Sequence, residues 1–192
     1  MLDIVFPNEN EQEFIESAKS LGYTQLIFVY SDVKKIKKVS NHYSALLVLP
    51  NQVKQFKGKA DFIVVKAQEE TSRHTIEKMK PDLMFGFEES EKKDTMHQRY
   101  SGLNHVSCEL ASRNKVKILF SFSSILNTSG IQRGTILGRM MQNISLCRKY
   151  KVKTLIASFA RNTSEMRSVK DLQSLFIILG MHPKEAKDSM GI

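Results

Sequence analysis

Gln25-Leu26-Ile27-Phe28-Val29-Tyr30 is apolar from its second residue to its last. A strand with one solvated face alternates polar and apolar side chains, so an unbroken run of this kind belongs to a strand covered on both faces, as in a parallel sheet. Similar short, β-branched runs recur on both sides of it. Strands are expected at Leu2–Phe6, Gln25–Tyr30, Ala45–Leu49, Asp61–Lys66, Asp82–Phe87, Lys117–Phe122 and Thr154–Ser158. Amphipathic stretches between them predict helices over Glu11–Leu21, Val33–Asn41, Thr71–Lys80, Gly102–Asn114, Gly134–Tyr150 and Val169–Leu179, with a partial helix around Gln52–Phe56. Pro183 opens a terminal segment, His182–Ile192, that suggests a last helical turn. Strict alternation of strand and helix implies parallel strands joined by right-handed crossovers. Seven such units suit either a doubly wound sheet or a small, irregular (β/α) barrel, and periodicity does not choose between them. Both architectures put function at the C-terminal ends of the strands.

The chain has 192 residues, which fits one domain with a substantial core. No apolar run approaches the roughly 20 residues a bilayer span needs. The start, Met1-Leu2-Asp3-Ile4-Val5-Phe6, lacks the basic region and cleavage site of a signal peptide. Two cysteines, Cys108 and Cys147, match neither a disulfide framework nor a zinc cluster, and each sits in a helical apolar pattern as a small buried hydrophobe. A reduced, cytoplasmic protein with no membrane partner is expected.

Charge is distributed unevenly. Between Glu109 and Glu165 there is no carboxylate, while Arg113, Lys115, Lys117, Arg133, Arg139, Arg148, Lys149, Lys151, Lys153 and Arg161 supply ten cations. The net charge is +9, so this interval accounts for the whole imbalance. Self-repulsion on that scale favours a polyanionic partner, and nucleic acid rewards each Lys or Arg through counterion release. The plainer alternative is a basic, solvated face. Arg73 follows the fourth strand, Arg99 the fifth, Arg133 the sixth, and Arg161 and Arg167 the seventh, so five of the eight arginines fall on one expected face. Lysines scatter over the helices instead. A planar guanidinium donates in pairs to phosphate, and the loop Asn127–Arg133 adds polar donors ahead of a helix N-terminus.

Catalysis finds little support in the residues. The expected strand ends carry Asn8, Asp32, Pro50, Lys66, Glu88, Ser123 and Ser158, with two carboxylates and no histidine. His42, His74, His97, His105 and His182 show no metal-binding spacing, so neither a metal nor another cofactor is expected. Asp32 has a local role as a helix cap, and Glu88-Glu89-Ser90-Glu91 reads as a solvated acidic loop. No phosphate-binding glycine loop is present, and Ser101 and Ser158 lack a partnered base. His105, after Asn104 at a helix start, reads either as a histidine bonded to a neighbouring loop or as an RNA contact beside Arg99. On the long helix, Ile136, Met140, Ile144 and Cys147 form a core stripe, leaving Arg139, Gln142 and Lys149 on other faces for a partner.

Three segments carry a resemblance: Gly102-Leu103-Asn104-His105-Val106, Leu146-Cys147-Arg148-Lys149-Tyr150-Lys151-Val152, and Arg167-Ser168-Val169-Lys170-Asp171-Leu172 followed by Leu179-Gly180-Met181. In this order and spacing they resemble the hallmark segments of the 30-kDa-type protein subunits of ribonuclease P, called component 3 in archaea. The resemblance implies a distorted TIM-like barrel related to the PHP metallophosphoesterases but without their metal ligands. It implies a partnership with the catalytic RNA of ribonuclease P, indirectly with precursor tRNA, and with other protein subunits, especially a small α/β subunit in a heterodimer or heterotetramer. The reaction supported would be RNA-catalysed removal of the 5′ leader, with no catalytic residue in this chain. The family's basic positions map onto Arg99, His105 and Arg167. Together with the charge reading, the expected RNA-contacting set is Arg73, Arg99, Asn104, His105, Arg133, Arg139, Arg148, Lys149, Arg161 and Arg167. Departures occur at Ser121–Leu126, where the family often has a basic residue, and at Ala157–Ala160; relatives also commonly continue beyond Met181 into another strand. An open or seven-stranded barrel follows. The rival readings are a PHP-type metal-dependent phosphoesterase and a general RNA- or DNA-binding scaffold.

Overall fold

The computed structural model describes residues 1–96 and 99–191; His97, one of the five histidines read above, and Ile192, the end of the terminal segment, lie outside them. Seven strands form one parallel sheet in sequence order: β1 (Leu2–Val5), β2 (Gln25–Tyr30), β3 (Tyr43–Leu47), β4 (Phe62–Lys66), β5 (Leu83–Phe85), β6 (Lys117–Ser121) and β7 (Thr154–Ala157). The helices are α1 (Glu11–Ser20), α2 (Val53–Phe56), α3 (Ser72–His74, continued by a π-turn over Thr75–Met79), α4 (His105–Asn114), α5 (Phe122–Leu126), α6 (Gly130–Lys149), α7 (Val169–Ile178) and α8 (Pro183–Asp188). The sheet curls into a nearly closed barrel, so the barrel reading holds over the doubly wound sheet.

Alternate strand residues build two cores. Ile4, Val29, Val64, Phe85, Leu119 and Phe159 belong to the cluster that fills the barrel. Val5, Phe28, Val65, Met84 and Phe120 belong to the layer packed with Phe14, Met140 and Phe176 of the helices. Both faces of each strand are therefore dry, which is why the runs are continuously apolar.

β1 and β7 meet at the one seam. Near the top, Phe159 N–H donates to the Ile4 carbonyl (2.9 Å) and Phe6 N–H to the Ala160 carbonyl (2.8 Å). Lower down, the chain's last turn is wedged in: Leu2 N–H donates to the Met190 carbonyl (2.8 Å) and Ile156 N–H to the Ser189 carbonyl (2.9 Å). Between these levels the wholly buried Asp3 carboxylate accepts from Ser158 N–H and Oγ, each at 2.6 Å, and from Ile4 N–H. Burial, only partly opposed by these bonds, pushes the Asp3 carboxyl up to about 6.

Some of the expected elements change. The β2–β3 connection holds no helix over Val33–Asn41: a 3-10 turn over Val33–Lys35 is followed by extended chain. Its apolar residues, Val33, Ile36 and Val39, recur every third position, which drifts off a 3.6-residue face and fits a three-fold ribbon. β3 starts two residues earlier than expected, and a short helix, α5, fills the loop after β6.

Candidate nucleic-acid interface

The barrel mouth is apolar at its centre. Phe6, Phe85 and Phe159 gather there, with ring centroids 5.6 Å (Phe6–Phe159) and 4.8 Å (Phe85–Phe159) apart. Lys66, at the end of β4, is paired with Glu89 at 2.7 Å. Among the described residues no group of three His, Cys, Asp or Glu side chains is placed to hold a metal ion.

The polar concavity lies on the flank, between α6 and the segment that leads into α4. Gly102 explains how that segment packs: its φ is +81°, and a Cβ there would stand 2.2 Å from the Phe87 carbonyl oxygen. Only glycine fits. Leu103 is then buried, and the Asn104 side chain accepts from Ser107 N–H at 2.9 Å to cap α4. His105 is left exposed at the first turn. Asn143 Nδ2 donates to the Ser101 carbonyl (2.8 Å), locking the segment onto α6. The resulting groove of about 1040 Å³ is lined by Arg99, Asn104, His105, Gln142 and Lys149, with the rings of Tyr100 and Tyr150. Lys92 and Lys149 stand over those rings at 5.9 and 5.5 Å.

Most of the arginines are engaged within the fold. Among the described residues, five of the eight donate to main-chain carbonyl oxygens. Arg99 Nη1 reaches the Gly138 carbonyl in mid-α6 (2.7 Å), an approach open because a Cβ on Gly138 would lie 3.0 Å from its Cζ. Arg133 Nε closes the end of α5 through the Thr128 carbonyl (2.6 Å). Arg167 Nη1 binds the Ser164 and Met166 carbonyls (3.0 and 2.7 Å), its guanidinium 5.2 Å from the Phe122 ring. Arg148 binds the Gly180 carbonyl and Glu185 (2.7 Å), tying α6 to α8 at the opposite, N-terminal end of the strands. Apart from the Gly138 carbonyl, which lies inside α6, these acceptors belong to loops and turns outside regular helix, where a five-donor fork satisfies carbonyls well.

Arg139 is the extreme case and corrects the expectation that it lies on a partner face. It is 4% exposed. Its guanidinium binds the carbonyls of Glu88 (3.1 Å), Ser90 (2.6 Å) and Lys92, and Asp94 Oδ1 (2.9 Å). No donor is left for a phosphate. Burial alone would raise the Asp94 carboxyl, but Arg139, the Tyr100 N–H and Arg99 together hold it below the usual carboxylate range. Arg73, Arg113 and Arg161 are exposed; Arg161 lies 5.9 Å over Phe6 at the mouth, away from the groove.

The loop Glu88–Glu91 is not simply a solvated acidic turn. Glu88 is 1% exposed, and among the described residues both its carboxylate oxygens are without a hydrogen-bond partner, as are Ser101 Oγ and Asn143 Oδ1. Burial, with Glu89 nearby, drives its carboxyl up to about 8. A carboxyl group this far inside was not legible from four polar residues in a row.

Fold and site define a TIM-like (β/α) barrel with a cation-lined flank. The RNase P subunit p30 family matches residues 49–192, and the chain belongs to that family as a ribonuclease P protein subunit of the archaeal type. Ribonuclease P protein component 3 of Methanocaldococcus jannaschii is 28% identical over 186 residues, covering 96% of this chain and 74% of that protein. The Methanococcus vannielii counterpart is 24% identical over 173 residues, covering 88% and 69%. Among solved structures, a chain of archaeal ribonuclease P with mature tRNA superposes with a TM-score of 0.82 at 23% identity, covering 99% of this chain and 87% of that one. The histidinol phosphate phosphatase of Lactococcus lactis, solved with zinc, L-histidinol and phosphate, shares the fold at TM-score 0.60 and 8% identity, covering 94% of each chain. No helix among the described residues is long and apolar enough to cross a membrane.

Proposed function

We propose that this chain is an RNA-binding, non-catalytic subunit of ribonuclease P that supports RNA-catalysed removal of the 5′ leader from precursor tRNA. The single observation that carries the reading is the pairing of family membership with a barrel mouth occupied by Phe6, Phe85 and Phe159. A hydrolase of this fold needs polar ligands there to hold a metal and orient water; phenylalanines supply neither. The partner protein would be a small α/β subunit. The flank groove is the RNA contact: Arg99, His105 and Lys149 supply cations, Asn104 and Gln142 supply hydrogen bonds, and Tyr100 and Tyr150 offer ring faces for an unstacked base.

Reconstitution with ribonuclease P RNA and the other subunits tests it. Omitting this chain lowers cleavage of precursor tRNA, and the double change His105→Ala with Lys149→Ala weakens RNA binding by roughly 10- to 100-fold with the thermal midpoint unchanged. Changing Lys78 and Lys80 on the α3 connection does neither. Cleavage of precursor tRNA by the purified chain alone, with divalent metal and no RNA, overturns the reading.

A further inference from the structure

The acid-free interval from 110 to 164 is not the only one. Between Asp32 and Asp61 there is again no carboxylate, and that interval carries Lys34, Lys35, Lys37, Lys38, Lys54, Lys57 and Lys59. Acidic residues elsewhere mask it in the net charge. Four of these lysines lie on the helix-free β2–β3 connection, Val33-Lys34-Lys35-Ile36-Lys37-Lys38-Val39. Asp32 opens it by accepting from Lys34 N–H at 2.9 Å, and at its far end the His42 ring accepts from Leu26 N–H at 3.0 Å. Val33, Ile36 and Val39 pack against the outer core, so the ribbon is pinned at every third residue. The lysine pairs between these anchors are all exposed.

Lys37 is held by Glu11 at 2.9 Å. Lys34, Lys35 and Lys38 make no ion pair among the described residues, and neither do Lys54, Lys57 and Lys59 on the next connection. Lys34 and Lys35 face a groove of about 780 Å³ at the mouth, whose other side carries Arg161 over Phe6. Of the carboxylates bordering it, Asp32 caps the ribbon and Glu11 holds Lys37 and Tyr30, leaving Glu9 exposed. The sheet order places this flank opposite the α4–α6 groove. The ribbon fills the gap between β2 and β3; β3, β4 and β5 separate it from α4 in one direction, and β7, β1 and β2 from α6 in the other.

We propose that the ribbon Val33–Val39, with Arg161 across the mouth, is a second RNA-backbone contact, so that the protein grips two separate segments of RNA on opposite flanks. The inference rests on the ribonuclease P reading above. A three-residue repeat renews the charge about every 6–9 Å along the ribbon, and a linear array of ammonium groups suits a linear polyanion. Lysine on a flexible stem reads charge rather than base identity, so this surface adds affinity and orientation without sequence preference. The ribbon itself, though not Arg161, lies outside residues 49–192, the part of the chain that the family's pattern matches.

The test measures binding to the ribonuclease P RNA of the same organism, transcribed in vitro, across a salt series. Four proteins are compared: the unaltered chain, the ribbon triple Lys34→Ala, Lys35→Ala, Lys38→Ala, the groove double His105→Ala with Lys149→Ala, and their combination. The ribbon triple lowers the slope of log affinity against log salt by about two to three and weakens binding at low salt on the order of 10- to 100-fold. Its effect multiplies that of the groove double, as for distant sites, and protection of the RNA is lost at a segment the groove double leaves protected. If the ribbon triple binds with unaltered affinity and slope while the groove double is weakened, the second contact is wrong, whether or not the triple loses a protein partner. If the unaltered chain itself does not bind this RNA, the ribonuclease P reading fails instead.

Discussion

The α4–α6 flank and the β2–β3 flank of this barrel are both rich in cations and use them in opposite ways. On the first, arginines turn inward: Arg99, Arg139 and Arg148 each donate to a main-chain carbonyl as well as facing a carboxylate. On the second, lysines alternate with apolar anchors, and three of the four ribbon lysines make no ion pair among the described residues. Side-chain chemistry accounts for the difference. A guanidinium has five donors in a rigid fork and is weakly hydrated, so an irregular loop with unpaired carbonyls draws it in. An ammonium is a strongly hydrated point charge on a flexible stem and remains outside. Counting positive residues therefore overstates what the first flank offers a partner and understates what the second does.

The largest effect that could break this comparison is at Arg139. Replacing it with alanine leaves the carbonyls of Glu88, Ser90 and Lys92 and the Asp94 carboxylate without their shared donor. Removing one partner of a buried ionic cluster costs about 3–5 kcal/mol. At about 2–4 °C per kcal/mol for a chain of this size, the thermal midpoint falls by roughly 10 °C, and the 88–94 loop becomes open to protease. A loss below about 1 kcal/mol shows instead that the arginine flank is as superficial as the lysine flank.

Glu88 sharpens the same contrast through pH. Its folded pKa is raised from 4.5 to about 8. A raised acid contributes stability that is fully present below its unfolded pKa and lost as pH rises through the folded one. The unaltered protein therefore loses on the order of 4 kcal/mol from this group between pH 4.5 and 8.5. Glu88→Gln keeps the shape and removes the ionisation, so the variant gains on the parent as pH rises, with the two most alike near pH 4.5. Urea midpoints at pH 5.5 and 8.5 read this directly. Equal pH dependence in parent and variant means that the carboxylate finds water and that the 88–94 loop packs loosely against α6.

What was legible in the sequence is what depends on neighbours along the chain. Gln25–Tyr30 reads as a strand because both its faces are dry, and Gly102-Leu103-Asn104-His105 reads as a helix start because Asn104 caps α4. The partners of Arg139 lie 45 to 51 residues away, and no local pattern announces them. Asp3 and Ser158, which bridge the seam through their side chains, are 155 residues apart. The ribbon was open to a better reading: Val33, Ile36 and Val39 have a period of three, and Lys37 and Ser40 stand where a helix would repeat the apolar face. A net charge summed over the whole chain concealed it further, because the surplus acids of the remaining segments cancel seven lysines.

The smallest expected effect is on the folding of the ribbon, and it separates charge from anchor within one stretch. Lys34, Lys35 and Lys38 are exposed and make no ion pair among the described residues, so replacing all three with alanine removes no contact that holds the fold. Surface substitutions of this kind change stability by about 0.5 kcal/mol or less each, and easing like-charge repulsion among neighbours pushes the sign toward stabilisation. With the sign pushed toward stabilisation, the thermal midpoint of the triple variant should not fall by more than about 2 °C. Ile36→Ala, between the same lysines, takes methylene groups out of the outer core at a half-buried site. It should cost about 1–2 kcal/mol, below the 2–5 kcal/mol of a fully buried position. Circular dichroism melts of the two variants decide the point. If the lysine triple is the more damaging change, the ribbon is held by its charges, and the opposition between inward arginines and outward lysines does not describe this barrel.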